Sequence, residues 1–392
     1  MRRGFSVAVY GAKRTPIGSF LGKLNRVPGC LLGAHALAAA LTQAKASSLD
    51  EVIFGTVLAA GQGANPARQA ALAAGLPDTT VATTISKGEC SGLKSVTLAA
   101  ETALLHPGRL LGAGGFESSS FAPHLVQQYR EGCILGSADV CDVITHDGLN
   151  CTTFQVPIGV VAEKTAVKFD ILRVQQDRYA KESLIRVLGA WDRGFYATEV
   201  AKMELVDEQG KQGIMRQDEY PFQVKLEEIQ QILALYIDIG SVTAANSGMP
   251  ADGGAALVLG LGNVNVDSPP LANLLAWTDV SLEPEWYPLS PVEAINKLLR
   301  ETGFPREKVD LFEISDSVAI APLVAQVKLS IHPFKLNVNG GSISLGHPIG
   351  MTGTRMLCSL IYALKERQLK YGLVATCEGG GGATAVLVEV LS

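Results

Sequence analysis

Residues 337–355, NVNGGSISLGHPIGMTGTR, place His347 in a glycine-rich turn ahead of an apolar run, MLCSLIYAL (356–364). A turn of this kind that opens a helix presents backbone N–H groups. It also sets its side chain at the helix N-terminus, where an oxyanion or a thiolate is stabilised. A second such turn, GECSGLKSVTLAAETAL (88–104), carries Glu89 and Cys90, and a strand running into glycines, YGLVATCEGGGG (371–382), carries Cys377. A cysteine at such a turn can have its pKa drawn into the reactive range.

The spacing around these turns repeats. EVIFG (51–55) and VDLFE (309–313) both read as buried strands, and Phe54 to Glu89 spans 35 residues, as does Phe312 to His347. Beyond each turn comes a helix, and then an apolar strand that ends in glycines, GRLLGAGGFES (108–118) in one case and the Cys377 strand in the other. Three correspondences in the same order predict two similar half-chains whose turns oppose one another.

The rest of the chain is read outward from these turns. GFSVAVYG (4–11) and EVIFGTVLAA (51–60) are expected strands, LGAHALAAALTQAK (32–45) an expected helix, and the alternation favours a mostly parallel α/β sheet. NSGMPADGGAALVLG (246–260) reads as a turn and a strand. SPVEAINKLLRETG (290–303) reads as a helix with Ser290 as N-cap, Glu293 closing a capping box and Gly303 as the stop. Between them, 121–245 holds amphipathic helices such as ILRVQQDRYAKESLIRVLGAW (171–191) and much of the charge. The expected division is therefore 1–120 with 246–268 as one half, 121–245 as an inserted loop domain, and 269–392 as the other half.

Composition sets the outer bounds. The 392 residues suit two to three domains, and 47% hydrophobic with 18% charged residues excludes intrinsic disorder. A net charge of −5 argues against nucleic acid or an anionic membrane surface as the main partner. No run approaches the ~20 apolar residues of a membrane span, and the opening MRRGFSVAVYGAKRTPIG reads as strand rather than signal peptide. The expected location is cytoplasmic, with a short mitochondrial route left open. Seven cysteines without a CxxC pair read as reduced thiols. His106, His124, His146 and His332 show no metal-ligand spacing, so no metal is expected, and DGGAA (252–256) lacks the Lys-Ser/Thr of a phosphate loop. Lys87 and Lys94, which flank the Glu89–Cys90 turn, are expected to be solvated.

These segments resemble the thiolase family. NVNGGSISLGHPIGMTGTR is similar to its Gly-His-Pro motif and VATCEGGGG (374–382) to its C-terminal Cys-x-Gly-Gly motif. RTPIGSF (14–20), FGTVLAAGQGANPARQAALAAGLP (54–77), GGFES (114–118), DGL (147–149) and NSGMPADGGAA (246–256) follow in family order. The 54–77 segment resembles the cytosolic acetoacetyl-CoA members. The resemblance implies a thiolase fold, with duplicated βαβαβαββ halves in an α/β/α/β/α arrangement and an inserted loop domain. It implies acetyl-CoA acetyltransferase chemistry, either Claisen condensation of acetyl-CoA or thiolysis of a 3-ketoacyl-CoA. No cofactor is implied beyond the coenzyme A of the acyl-CoA substrate, and a homodimer or homotetramer is the implied assembly. His347 becomes the base of a nucleophilic cysteine and Cys377 the acid/base at the α-carbon, with Ser247, Gly346 and Gly379 facing the substrate.

The chain departs from the family at the nucleophile. The motif Cys-x-Ser-Gly stands here as Glu89-Cys90-Ser91-Gly92, so Glu89 takes the nucleophile's place and Cys90 comes one residue late, a swing of roughly 100° at a helix start. Glu89 beside His347 is expected to form a carboxylate–imidazolium pair. The family's Asn-Glu-Ala-Phe stands as Ser315-Asp316-Ser317-Val318, with Ser315 in the water-holding Asn position. Pro157-Ile158-Gly159 resembles the motif of degradative members, and DEYPFQV (218–224) lacks an arginine for the CoA adenine. Three readings stand at this point: acyl transfer through Cys90, chemistry on CoA esters such as decarboxylation or hydrolysis without a covalent cysteine, and a non-catalytic binding protein.

Overall fold

The computed structural model describes residues 6–206 and 210–391. Strand β1 (Val7–Arg14) starts later than expected; residues 1–5, with the two arginines of the opening stretch, lie outside the described residues. The other main strands are β2 (Glu51–Gly55), β3 (Val81–Ile85), β4 (Leu110–Ser118), β5 (Ala251–Gly260), β6 (Ala272–Ser281), β7 (Leu311–Ile314), β8 (Tyr371–Cys377) and β9 (Gly382–Val390). The strand expected over 51–60 stops at Gly55, where the chain turns under the site.

These strands lie in one sheet in the order β7-β8-β9-β6-β1-β5-β4-β2-β3, with Gly18–Ser19 added beside β5. Read outward from the β1–β6 pair in the centre, β5, β4 and β2 on one side answer β9, β8 and β7 on the other. Even the outer position of β3 has a trace on the far side, a parallel bridge between Phe312 and Leu336. The 35-residue repeat is thus a topological repeat. The sheet is not mostly parallel: β2–β3, β2–β4 and β7–β8 are parallel and the other main pairings antiparallel. The reason is that β9 returns beside β8 through the short turn 378–381, and β5 comes back beside β4 after the 121–245 stretch running the opposite way, so neither neighbour is set by a parallel crossover.

Helices α1 (Gly29–Ala44) and α2 (Pro66–Ala73) cover one outer face. Between them and the rest lies the central pair, α3 (Ser91–Leu105) and α8 (Thr352–Glu366). In the middle of the chain run α4 (Ile158–Lys168) and α5 (Arg173–Asp192), while α6 (Ser290–Thr302) and α7 (Ile320–Lys328) cover the other outer face. The central pair touches strands of both halves, which produces the five layers. Its sequence suits that place: α8 is buried nearly all round, with an apolar run over 356–364, and α3 is rich in Ala and Ser, so the backbones come close. The largest core, including Leu93, Val96, Leu357 and Leu360, sits between the halves.

The capping box expected for α6 does not form. Ser290 is already helical, and its hydroxyl donates to the carbonyls of Tyr287 and Gly382, tying the helix to β9 instead. Gly303 does end the helix, in a left-handed conformation at φ +66.

The two central helices meet at their N-terminal glycines. A Cβ on Gly92 would lie 2.5 Å from the Gly350 carbonyl oxygen and 2.7 Å from Thr354 Oγ1. Gly92→Ala gains under ~1 kcal/mol of helix propensity but drives a methyl into backbone. A net loss of about 2 kcal/mol is expected, read as a lower urea midpoint at unchanged slope.

Candidate active site

The turns before α3 and α8 face one another across a cleft of about 540 Å³. Glu89, His347, Ser247, Ser317, Glu378 and Gly379 line it. A neighbouring pocket of about 430 Å³ shares Met249 and Pro250 with the cleft and carries Gly346, Tyr220 and Lys225. Gly346 therefore belongs to the approach rather than to the reacting end. Asp218 and Glu219 of the DEYPFQV stretch are occupied elsewhere: Asp218 accepts from the buried Arg14, and Glu219 accepts from the backbone of Ser19 and Lys23.

The turn decides between Glu89 and Cys90. The Cys90 amide donates to the Lys87 carbonyl and its own carbonyl starts α3, so its Sγ points into the core, 3.5 Å from the Thr376 carbonyl oxygen. Burial pushes its thiol up to about 12. The reading of acyl transfer through Cys90 is therefore corrected: Cys90 is a buried, protonated thiol off the cleft. Glu89 takes the facing position, with Oε1 3.9 Å from His347 Nε2 and Oε2 4.0 Å from Cys377 Sγ.

The expected carboxylate–imidazolium pair is also corrected. Burial pushes the Glu89 carboxyl up to about 8, with Asp316 and Glu378 adding to it, while the Ser315 and Ser317 hydroxyls pull the other way. His347 is pushed down to about 3 by burial, with the Arg355 charge adding to it. Both groups are mainly neutral at pH 7, because removing two ionisable side chains from water costs more than their attraction at this distance returns.

The tautomer of His347 follows from its neighbour. Thr352, the first residue of α8, spends its hydroxyl proton on the Pro348 carbonyl at 3.0 Å, so at 2.8 Å it accepts from His347 Nδ1–H. Nε2 is left bare and aimed at Glu89 Oε1, which is buried with no hydrogen-bond partner among the described residues.

Cys377 ends β8, with its Sγ 3.2 Å from Ser315 Oγ, and burial holds its thiol well above the ordinary value. Ser315 also accepts from the Cys377 amide at 3.3 Å, so it braces this thiol. Lys87 and Lys94 are not simply solvated: both pair with Asp279, at 2.5 and 2.8 Å, and hold its carboxyl down to about 2. Ser317, Glu378, Thr352 and Asp279 belong to the site or its support and were not singled out from sequence. Glu378 and Thr352 stand beside motif residues, which is a usable signal. Asp279 lies far along the chain from both lysines and has none.

The thiolase N-terminal domain family matches residues 7–261, and the thiolase C-terminal domain family matches residues 268–390. The chain belongs to the thiolase family. The mitochondrial acetyl-CoA acetyltransferase A of Xenopus laevis is 40% identical over 392 residues, covering 98% of this chain and 92% of that protein. Acetyl-CoA acetyltransferase 2 of Arabidopsis thaliana is 38% identical over 391 residues, covering 98% and 97%. Among solved structures, the Bacillus anthracis acetyl-CoA acetyltransferase superposes with a TM-score of 0.94 at 32% identity, covering 98% of this chain and 99% of that one. The Acat5 thiolase of Ascaris suum, solved with coenzyme A, does so with a TM-score of 0.91 at 32% identity, covering 99% and 100%. These matches support a thiolase-type acyltransferase function. No helix among the described residues is long and apolar enough to cross a membrane.

The raised Glu89 pKa has a consequence for stability. Its folded value of about 8 lies above the ordinary 4.5, so folding favours the protonated form; the stabilisation is complete below pH 4.5 and is lost as pH rises toward 8. Glu89→Gln cannot ionise, and it is expected to stabilise the fold by up to about 4 kcal/mol at pH 8 with little gain at pH 4.5. Denaturation at the two pH values checks this.

Proposed function

We propose that the chain acts on acyl-CoA thioesters in this cleft, making or breaking the bond between acyl units as in acetyl-CoA condensation or 3-ketoacyl-CoA cleavage. One observation carries the reading: Glu89, His347 and Cys377 converge within 4.0 Å contacts at the end of a cleft whose wall continues through Ser247 and Gly379. Cys377, held protonated, is the donor for a carbanion at the α-carbon. The reading requires no cofactor, since coenzyme A arrives with the substrate.

Calorimetric titration with acetyl-CoA and acetoacetyl-CoA tests it. One ester per chain is the expected stoichiometry. Met249→Trp, which fills the passage between cleft and neighbouring pocket, should weaken binding by about 1.4 kcal/mol or more, a factor of ten. Failure of both esters to bind overturns the reading.

We further propose a homodimer or homotetramer. Among the described residues the outer edge of β3 carries no strand partner, and Val81 on it is 58% exposed, which suits pairing with a second copy. Light scattering should return two or four chains, and a monomer at micromolar concentration speaks against it. For the compartment we keep the cytoplasm as the proposal beside the mitochondrial name of the frog relative; imaging a C-terminally tagged chain discriminates the two.

A further inference from the structure

We infer that the acyl acceptor in this cleft is water: Glu89 and His347 hold one water between them, and the chain cleaves 3-ketoacyl-CoA hydrolytically to a carboxylic acid and a shortened acyl-CoA. The inference rests on the acyl-CoA reading above and names the acceptor that reading leaves open.

The geometry argues for it in three ways. Glu89 Oε1 and His347 Nε2 are 3.9 Å apart, too far for a direct hydrogen bond and close enough for one water to lie about 2.8 Å from each. Both atoms are acceptors when Glu89 is ionised, because His347 has committed its N–H to Thr352. A water that donates one hydrogen to each turns its lone pairs to the cleft, which is the orientation a nucleophile needs. Glu89 Oε1 and Ser317 Oγ are both buried without a partner among the described residues, and both residues line the cleft. Lastly, among the described residues no thiol stands where a covalent acyl group would be taken up, since Cys90 faces the core and Cys377 is occupied with Ser315.

The step balances with the groups present. Ionised Glu89 takes a proton from the water as its oxygen bonds to the 3-keto carbon, and the Ser317 hydroxyl is placed to donate to the oxygen that becomes negative. Collapse of the adduct breaks the C2–C3 bond; the electron pair goes to C2, which takes the proton of Cys377. The proton taken up on Oε1 reaches the Cys377 side when the carboxyl group turns about its last bond, and it then passes to the Cys377 thiolate, which lies 4.0 Å from the Oε2 position, restoring both groups. The acid product ionises in solvent. A carboxyl that titrates near neutral pH is suited to this duty, being a base in part and an acid in part.

The test uses the full chain with acetoacetyl-CoA in water enriched in oxygen-18 and no free CoA, with products read by mass spectrometry. Acetate and acetyl-CoA are expected in equal amounts, with one heavy oxygen in acetate, and added hydroxylamine should leave no hydroxamate on Glu89. Cleavage that requires free CoA, or a hydroxamate on Glu89, overturns the inference, the latter because it marks a covalent anhydride. An ester that binds in the calorimeter and is not cleaved also overturns it while leaving the acyl-CoA reading in place; if neither ester binds, the reading itself has failed. Glu89→Gln should lower the cleavage rate at saturating ester by about 10²-fold or more. Independently of any variant, the rate of the unaltered chain should climb with pH to a plateau above about 8, as expected of a base that must be ionised. A rate flat from pH 6 to 9 overturns the inference.

Discussion

The buried carboxylate of Glu117 holds the two halves in register. It accepts from Thr56 Oγ1 at 2.7 Å, from the amides of Val57 and Leu58 at 2.9 and 3.1 Å, and from the Gly350 amide at 3.0 Å. Three of these donors follow β2, and the fourth belongs to the turn that carries His347. A carboxylate without water is tolerated only when its lone pairs are filled, and here the filling is done by the segments that have to meet. Because Gly350 is fixed to the end of β2, the His347 turn is fixed against the Glu89 turn, and the few ångströms between their side chains become a property of the fold.

Within that frame, a carboxyl at position 89 changes the character of the site more than its shape. The approach from the neighbouring pocket, the His347 turn and the Cys377 strand end converge on one cleft, and the facing group there is a buried acid with a pKa of about 8. Ser315, Ser317 and Glu378 cluster at the same end. Small hydroxyls beside Glu89 moderate its pKa and brace Cys377, so these substitutions act on one another through a single electrostatic neighbourhood.

Local pattern carried much of the architecture. Helices α1, α5 and α6 fall within a few residues of their apolar stretches, and Gly303 stops α6 as its position suggests, because these features depend on near neighbours in sequence. The cap at Ser290 failed for the opposite reason: a carbonyl on β9, remote in sequence, offered its hydroxyl a better partner. The pairing of Lys87 and Lys94 with Asp279 is of the same kind.

Motif spacing and the residue at position 89 were enough to read the family, the two-half repeat and Glu89, His347 and Cys377 as groups of the site. Only the tertiary structure decided which of Glu89 and Cys90 faces the cleft and in what protonation state His347 and Glu89 stand. Direction follows from the backbone of one turn, whose amides are claimed by Lys87 and Gly88 carbonyls. Protonation follows from burial, which depends on every segment packed around the group and is invisible in any stretch of the chain alone.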